Sequence, residues 1–220
     1  AGSLVYDSIG SSTGSLISGT SFVAGRIGSY ALSFAGWANS VTLPNNTNFD
    51  SSITSDLTLS AWVKRDAVKG GSSTFTGLVG RAGGYNRWGL ILENSFLVNF
   101  SVFNGSIDPT NRYALTTSNT IPTSWTHVVG QYEHTTGVMN IFYNGSLVKT
   151  TTKTPSTLQD TPLTNIKIGG NSASISYKGF IDDVAIFNRN LTRDEIYQIY
   201  MGTKPKYELT IREVQNGWCI

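Results

Sequence analysis

The segment from Gly179 to Ile196 constrains the fold most, because it begins with the two-residue period of a strand and ends as a capped helix. Strict alternation puts Phe180, Asp182, Val184 and Ile186 on one face, and Ile181, Asp183, Ala185 and Phe187 on the other. Thr192 followed by Glu195 predicts a capping box. The helix it opens runs from about Arg193 to Met201 and is closed by Gly202 and Pro205. Two adjacent acids inside an apolar strand need a physical reason, and that reason bears on both fold and chemistry.

The rest of the chain repeats the strand half of this pattern. Short alternating runs are separated by Gly, Asn, Asp, Ser and Pro clusters, the spacing of a β-sandwich. Tyr30–Phe34, Val41–Leu43, Leu57–Lys64, Gly77–Arg81, Trp88–Leu92, Leu97–Phe103, Trp125–Tyr132 and Ile166–Gly170 read as strands. In the third of these, Leu57, Leu59, Ala61 and Val63 share one face and Trp62 the other, so both faces are expected to be covered. Met139–Tyr143, Asn144-Gly145 and Ser146–Lys149 form a predicted hairpin, with Asn-Gly supplying a type I′ turn. The 220 residues suit one large β-domain, expected over residues 1–203. Residues 204–220 are expected to be a tail, an extra strand or the start of a following module.

Composition narrows the function. Only 14% of residues are charged and the formal net charge is +2, with no basic run, so nucleic-acid binding is not expected. No apolar run is long enough to enter a bilayer as a helix. The one cysteine, Cys219, allows no internal disulfide. Without an initial Met or signal peptide, the chain reads as a mature form or an excised module.

The order of motifs resembles the laminin-G-like members of the concanavalin A-like lectin/glucanase superfamily. The matching pieces are Asp7 in a Gly/Ser loop, Gly28–Gly36, Leu57–Lys64, Trp125–Tyr132, Ile141–Val148 and the closing Gly179–Tyr200 segment. The resemblance implies an all-β jelly-roll sandwich of two antiparallel sheets with one short helix near the C-terminus. It also implies a lectin-like or adhesive module on the outside of a cell or virion, and some relatives carry a structural calcium near the closing strand. Asp182, with Asp7 as a second, is the ligand this implies, and calcium's demand for oxygen donors agrees in kind. The alternative is that Asp182 accepts backbone N–H bonds from a neighbouring loop. Asp183 is expected to be solvated. Many relatives have Phe-Asp-Gly after the Phe34 strand and a second acid beyond it; here those slots hold Ala35 and Asn39.

Catalysis is not expected. A retaining glycosidase needs two carboxylates across a cleft, and no Glu-x-Asp-x-x-Glu spacing occurs. His127 reads as a packed strand residue bonded to backbone and His134 as a turn residue, neither in zinc spacing. A sugar site instead needs exposed aromatics beside hydrogen-bonding groups. Trp62 and Trp125 read as core. The loop residues Arg81, Tyr85, Arg87, Trp88, Trp37, Asn171 and Tyr177 are the candidate ligand contacts. The expectation is therefore a non-catalytic module that binds a glycan or glycoprotein, holds calcium, and works beside other domains of a larger protein. The competing expectation is a structural or adhesive protein-interaction module of a cell-surface, viral or phage assembly.

Overall fold

The computed structural model describes residues 4–9, 12–36, 38–44, 55–66, 75–81, 88–93, 95–103, 112–158, 165–172, 175–202 and 217–219. Alternating apolar residues build two antiparallel sheets. The first has the order β1 (Leu4–Tyr6), β2 (Thr13–Ile17), β5 (Ser40–Leu43), β14 (Ile166–Ile168), β7 (Phe75–Arg81), β8 (Trp88–Glu93), β9 (Leu97–Phe103), β10 (Arg112–Thr120). The second runs β13 (Ser146–Thr152), β12 (Val138–Tyr143), β11 (Thr126–Tyr132), β6 (Leu57–Arg65), β17 (Lys178–Phe187), β4 (Tyr30–Ala35), β3 (Ser21–Ala24). A small hairpin, β15 (Gly170–Ser172) and β16 (Ile175–Ser176), stands apart, and β18 (Gly217–Cys219) pairs with β17. Of the segment at 204–220 only Gly217–Cys219 is described; residues 203–216 and 220 lie outside the described residues.

The core lies between the sheets. Leu57, Leu59, Ala61 and Val63 of β6 enter it as their alternation predicts, and meet Leu90 of β8 and Phe100 of β9. Each large side chain so buried contributes about 1.5–3 kcal/mol. The Asn144-Gly145 turn has φ of 49° and 76°, the two positive values a type I′ hairpin requires.

The closing strand departs from its sequence pattern. Asp182 pairs with Trp62 but Ala185 pairs with Ser60, so β17 carries one extra residue between them. Asp183 sits at this bulge with φ of 46°. The insertion shifts the alternation: Ile181, Val184 and Ile186 enter the inter-sheet core, while Phe187 packs on the helix outside. The expected face of Phe180, Asp182, Val184 and Ile186 is therefore corrected. A one-residue bulge moves every later side chain to the opposite face, and a two-residue period cannot register it.

The helix α1 (Arg193–Tyr200) covers part of the outer face of the second sheet. Thr192 and Glu195 make the expected capping box. The Arg189 guanidinium donates to both Glu195 oxygens at 3.1 and 2.8 Å and draws that carboxyl below its usual range. An eight-residue helix is marginal by itself. This one is held by Ile196 and Ile199 against Val129, Phe142, Phe187 and Leu191. Thr58 Oγ1 and Gln131 Nε2 donate to the carbonyls of Arg189 and Leu191 and fix the chain leading into it.

At the start of β17, Gly179 has φ of 138°, and a Cβ there would run into the Lys64 carbonyl oxygen. Gly179→Ala is expected to lower stability by about 1–3 kcal/mol for the backbone conformation alone. The check is the urea midpoint at unchanged m-value.

Candidate functional site

Strand register sets a row of side chains across the outer face of the second sheet. Phe180 of β17 stands opposite Lys64 of β6 on one side and Ser33 of β4 on the other. Trp125, just before β11, extends the row; its ring centroid is 6.3 Å from that of Phe180. Lys64 Nζ lies 5.5 Å from the Phe180 ring centroid. The next row, His127, Trp62 and Asp182, is buried, and Tyr200 of α1 stacks on Trp62 at 5.6 Å. The Trp125–Lys64–Phe180–Ser33 row is only half-buried.

This row borders a cleft of about 530 Å³, within the range of small-ligand sites. Ser33 and Phe34 of β4, Lys64 and Arg65 of β6, Asp66, Thr123, and Lys178 to Phe180 of β17 line it. Lys178 pairs with Asp66 at 3.2 Å. Arg65 is built into the wall: Nε donates to the Ile121 carbonyl at 2.7 Å, Nη1 to the Asp66 carbonyl at 3.1 Å, and its guanidinium lies 3.8 Å from the Phe96 ring centroid. The cleft thus offers an aromatic face, hydroxyls and ammonium groups, the set that holds a polyhydroxylated ring.

Three of the loop residues expected to make ligand contacts, Arg81, Trp88 and Tyr177, do not line this surface. Trp88 opens β8 and is 1% exposed, and Arg81 closes β7 fully buried, so neither offers a face to a ligand. Burial of the apolar Trp88 ring in the inter-sheet core outweighs its proximity to a glycine-rich turn. Tyr177 is 1% exposed, set edge-on to Phe34, with its hydroxyl beneath Gly179. Burial pushes that hydroxyl far above the usual tyrosine range. Asn171 lies in β15. Trp37, Tyr85 and Arg87 lie outside the described residues. Sequence reasoning missed Trp125 and Phe180. The available signal was that Val128, Gly130 and Tyr132 alternate inward, which sends Trp125 outward.

Under α1, Ser60 Oγ and His127 Nε2 are 2.8 Å apart. The pair has the spacing of a nucleophile and its base, but both residues are fully buried and Nδ1 has no partner to orient the ring. Burial lowers the His127 pKa to about 4. His127 is thus bonded to a side chain, where backbone was expected. His134 pairs with Asp56 at 2.9 Å.

The acids of the closing strand have a structural role. Asp182 Oδ2 accepts from the amides of Arg26 and Ile27 at 2.6 and 2.9 Å, and Oδ1 from the Asp183 amide at 2.8 Å. The positive ends of three N–H dipoles therefore converge where a cation would bind. Asp7 Oδ1 accepts from the Ile9 amide, while Oδ2 is buried without a hydrogen-bond partner. Among the described residues no three His, Cys, Asp or Glu side chains converge. This donor set does not fit a calcium ion on Asp182, because calcium takes six to eight oxygens. Asp183 is half-buried, contrary to its expected solvation; burial, and then the neighbouring Asp182 charge, raise its pKa.

A second, more apolar cleft of about 300 Å³ opens at the other end of β4, between the edges of the two sheets. Tyr6, Phe22 and Tyr30 flank it above Leu32, Ile181 and Val184. Tyr6 and Tyr30 are 68% and 70% exposed.

The Laminin_G_3 family model, described as Concanavalin A-like lectin/glucanases superfamily, matches residues 34–197. Solved structures share the fold at low identity. Domain 4 of AbnA, a GH43 extracellular arabinanase from Geobacillus stearothermophilus, solved with arabinotriose, is 20% identical at a TM-score of 0.62 over 83% of this chain and 82% of that one. The botulinum neurotoxin serotype D ligand binding domain, in complex with N-acetylneuraminic acid, is 16% identical at 0.66, over 87% of this chain and 46% of that one. The binding domain of Paraclostridial Mosquitocidal Protein 1 is 16% identical at 0.62, over 90% and 52%. The chain therefore spans about half the length of the toxin domains it matches. Among curated proteins, none matches the sequence.

Proposed function

Because the chain belongs to the concanavalin A-like lectin/glucanases superfamily, we propose that it is a non-catalytic carbohydrate-binding module, working on the outside of a cell or virion as part of a larger protein. The observation that carries this reading is the half-buried Trp125–Lys64–Phe180–Ser33 row beside a cleft of about 530 Å³. A pyranose presents apolar C–H faces that stack on such rings, and hydroxyls that pair with the polar groups around them. The chemistry of the cleft argues against turnover. Among the described residues its one lining carboxylate, Asp66, is paired with Lys178, whereas glycoside hydrolysis needs two. The solved neighbours named for arabinotriose and N-acetylneuraminic acid are in keeping with a sugar-binding role.

The test is a saccharide array probed with the wild-type chain, Trp125→Ala and Phe180→Ala. Both side chains are half-exposed, so the variants are expected to fold. Each substitution is expected to weaken saccharide binding by about tenfold or more, the scale of losing one stacked aromatic. Absence of binding to every saccharide, or variants that bind like the wild type, would overturn the reading. One observation favours the adhesive alternative: the exposed Tyr6 and Tyr30 at the second cleft, near Leu4 at 38% exposure. Under that reading, Tyr6→Ser with Tyr30→Ser abolishes binding to a protein partner and leaves saccharides untouched.

A further inference from the structure

We propose that the saccharide held by this cleft is anionic, its carboxylate or sulfate group seated on Lys64; the inference rests on the glycan reading above. The charges of the cleft are unequal. Among the described residues, Lys64, Arg65 and Lys178 line it together with one acid, Asp66. Asp66 lies 3.2 Å from Lys178, so its charge is matched there. The polar partners of Arg65 in the wall are carbonyl oxygens, which fix the guanidinium without neutralising it.

Lys64 differs from both. Among the described residues no carboxylate lies within salt-bridge distance of its ammonium. Asp182, on the same outer face, has its oxygens taken by three backbone amides. The ammonium sits beside the ring of Phe180, which attracts a cation only weakly at a half-exposed site. A sugar ring resting on Phe180 and Trp125 carries its substituents past this ammonium. A carboxylate or sulfate there makes a charge-assisted bond, roughly twice as strong as a hydroxyl's. A neutral sugar leaves the positive excess unmatched.

The experiment compares oligogalacturonate with its methyl-esterified form, the same sugar without the charge, and a sulfated galactan with its desulfated counterpart. Titration calorimetry on the full chain reads the affinity. The charged form is expected to bind about tenfold or more tightly than its neutral partner. The preference is expected to shrink between 0.1 M and 1 M salt, as the screening length falls from about 10 Å to about 3 Å. Lys64→Gln removes the preference, Lys64→Arg retains it, and Asp66→Asn, which releases Lys178, strengthens charged-sugar binding. Opposite effects at Lys64 and Asp66 separate recognition from misfolding. Preference for only the carboxylated or only the sulfated sugar supports the proposal and identifies the group. Equal binding of charged and neutral forms, unchanged in Lys64→Gln, overturns the anionic class and leaves the glycan reading standing. Failure of all four to bind, while neutral sugars of other types bind at Trp125, also overturns it. Failure of every saccharide overturns the glycan reading itself.

Discussion

Replacing Asp182 with Ala is expected to lower folding stability by about 3–5 kcal/mol. The carboxylate accepts three backbone amides, from Arg26, Ile27 and Asp183. Hydrogen bonds to a charged acceptor contribute about 1.5–3 kcal/mol each, and water recovers part of this at the exposed Arg26. The bonds tie the turn between β3 and β4 to the bulge of β17. That turn also carries the Arg26 guanidinium, 4.6 Å from the Trp62 ring centroid. Losing the staple therefore loosens both the bulge and the cover over Trp62. Denaturant unfolding measures the loss, and it is expected to be the same with calcium as with a chelator. A loss seen only in calcium would return Asp182 to the role of metal ligand.

Acid is expected to weaken the protein through His127 by about 3 kcal/mol. Its folded pKa is about 4 against an ordinary 6.5, because burial disfavours the charged ring. The unfolded chain therefore binds the proton first. The contribution is fully present above pH 6.5 and is lost as pH falls from there towards 4. That difference corresponds to about 3 kcal/mol. Asp183 acts in the opposite sense, since its raised pKa relieves the folded state as the carboxyl protonates. The clean readout is thus a difference. His127→Phe keeps an aromatic ring against both Trp62 and Tyr200 and is expected to flatten the stability–pH slope between 4 and 6.5 relative to wild type. An unchanged slope would contradict the assignment.

The sandwich was legible in the sequence because its inner faces obey a two-residue period. Leu57, Leu59, Ala61 and Val63 alternate cleanly, Asn144-Gly145 marks its own turn, and Thr192 with Glu195 marks the helix start. The bulge at Asp183 was not legible, since nothing in a list of residues announces one extra position. It inverted the faces of Val184 and Ile186. Asp182, an acid in an apolar strand, needs partners on sequence grounds alone, and the loop amides of Arg26 and Ile27 supply them.

The site was less legible, because a sheet's outer face is defined by what covers it. Trp62 and Trp125 both read as core. Tyr200 covers the first, while the second is left half-buried beside Phe180. Trp88 read as a loop aromatic beside Gly83-Gly84, yet its ring is in the inter-sheet core. Tyr177 reads as a loop aromatic before the closing strand, yet it is buried beneath Gly179 and offers no face to a ligand.

The most direct test of the account is a chemical-shift map of the full chain titrated with oligogalacturonate. The account predicts saturating shifts at the Trp125 indole N–H, Lys64 and Phe180, with Tyr6 and Tyr30 unmoved. Shifts confined to Tyr6, Phe22 and Tyr30, or no shifts with this or any other saccharide, would contradict it.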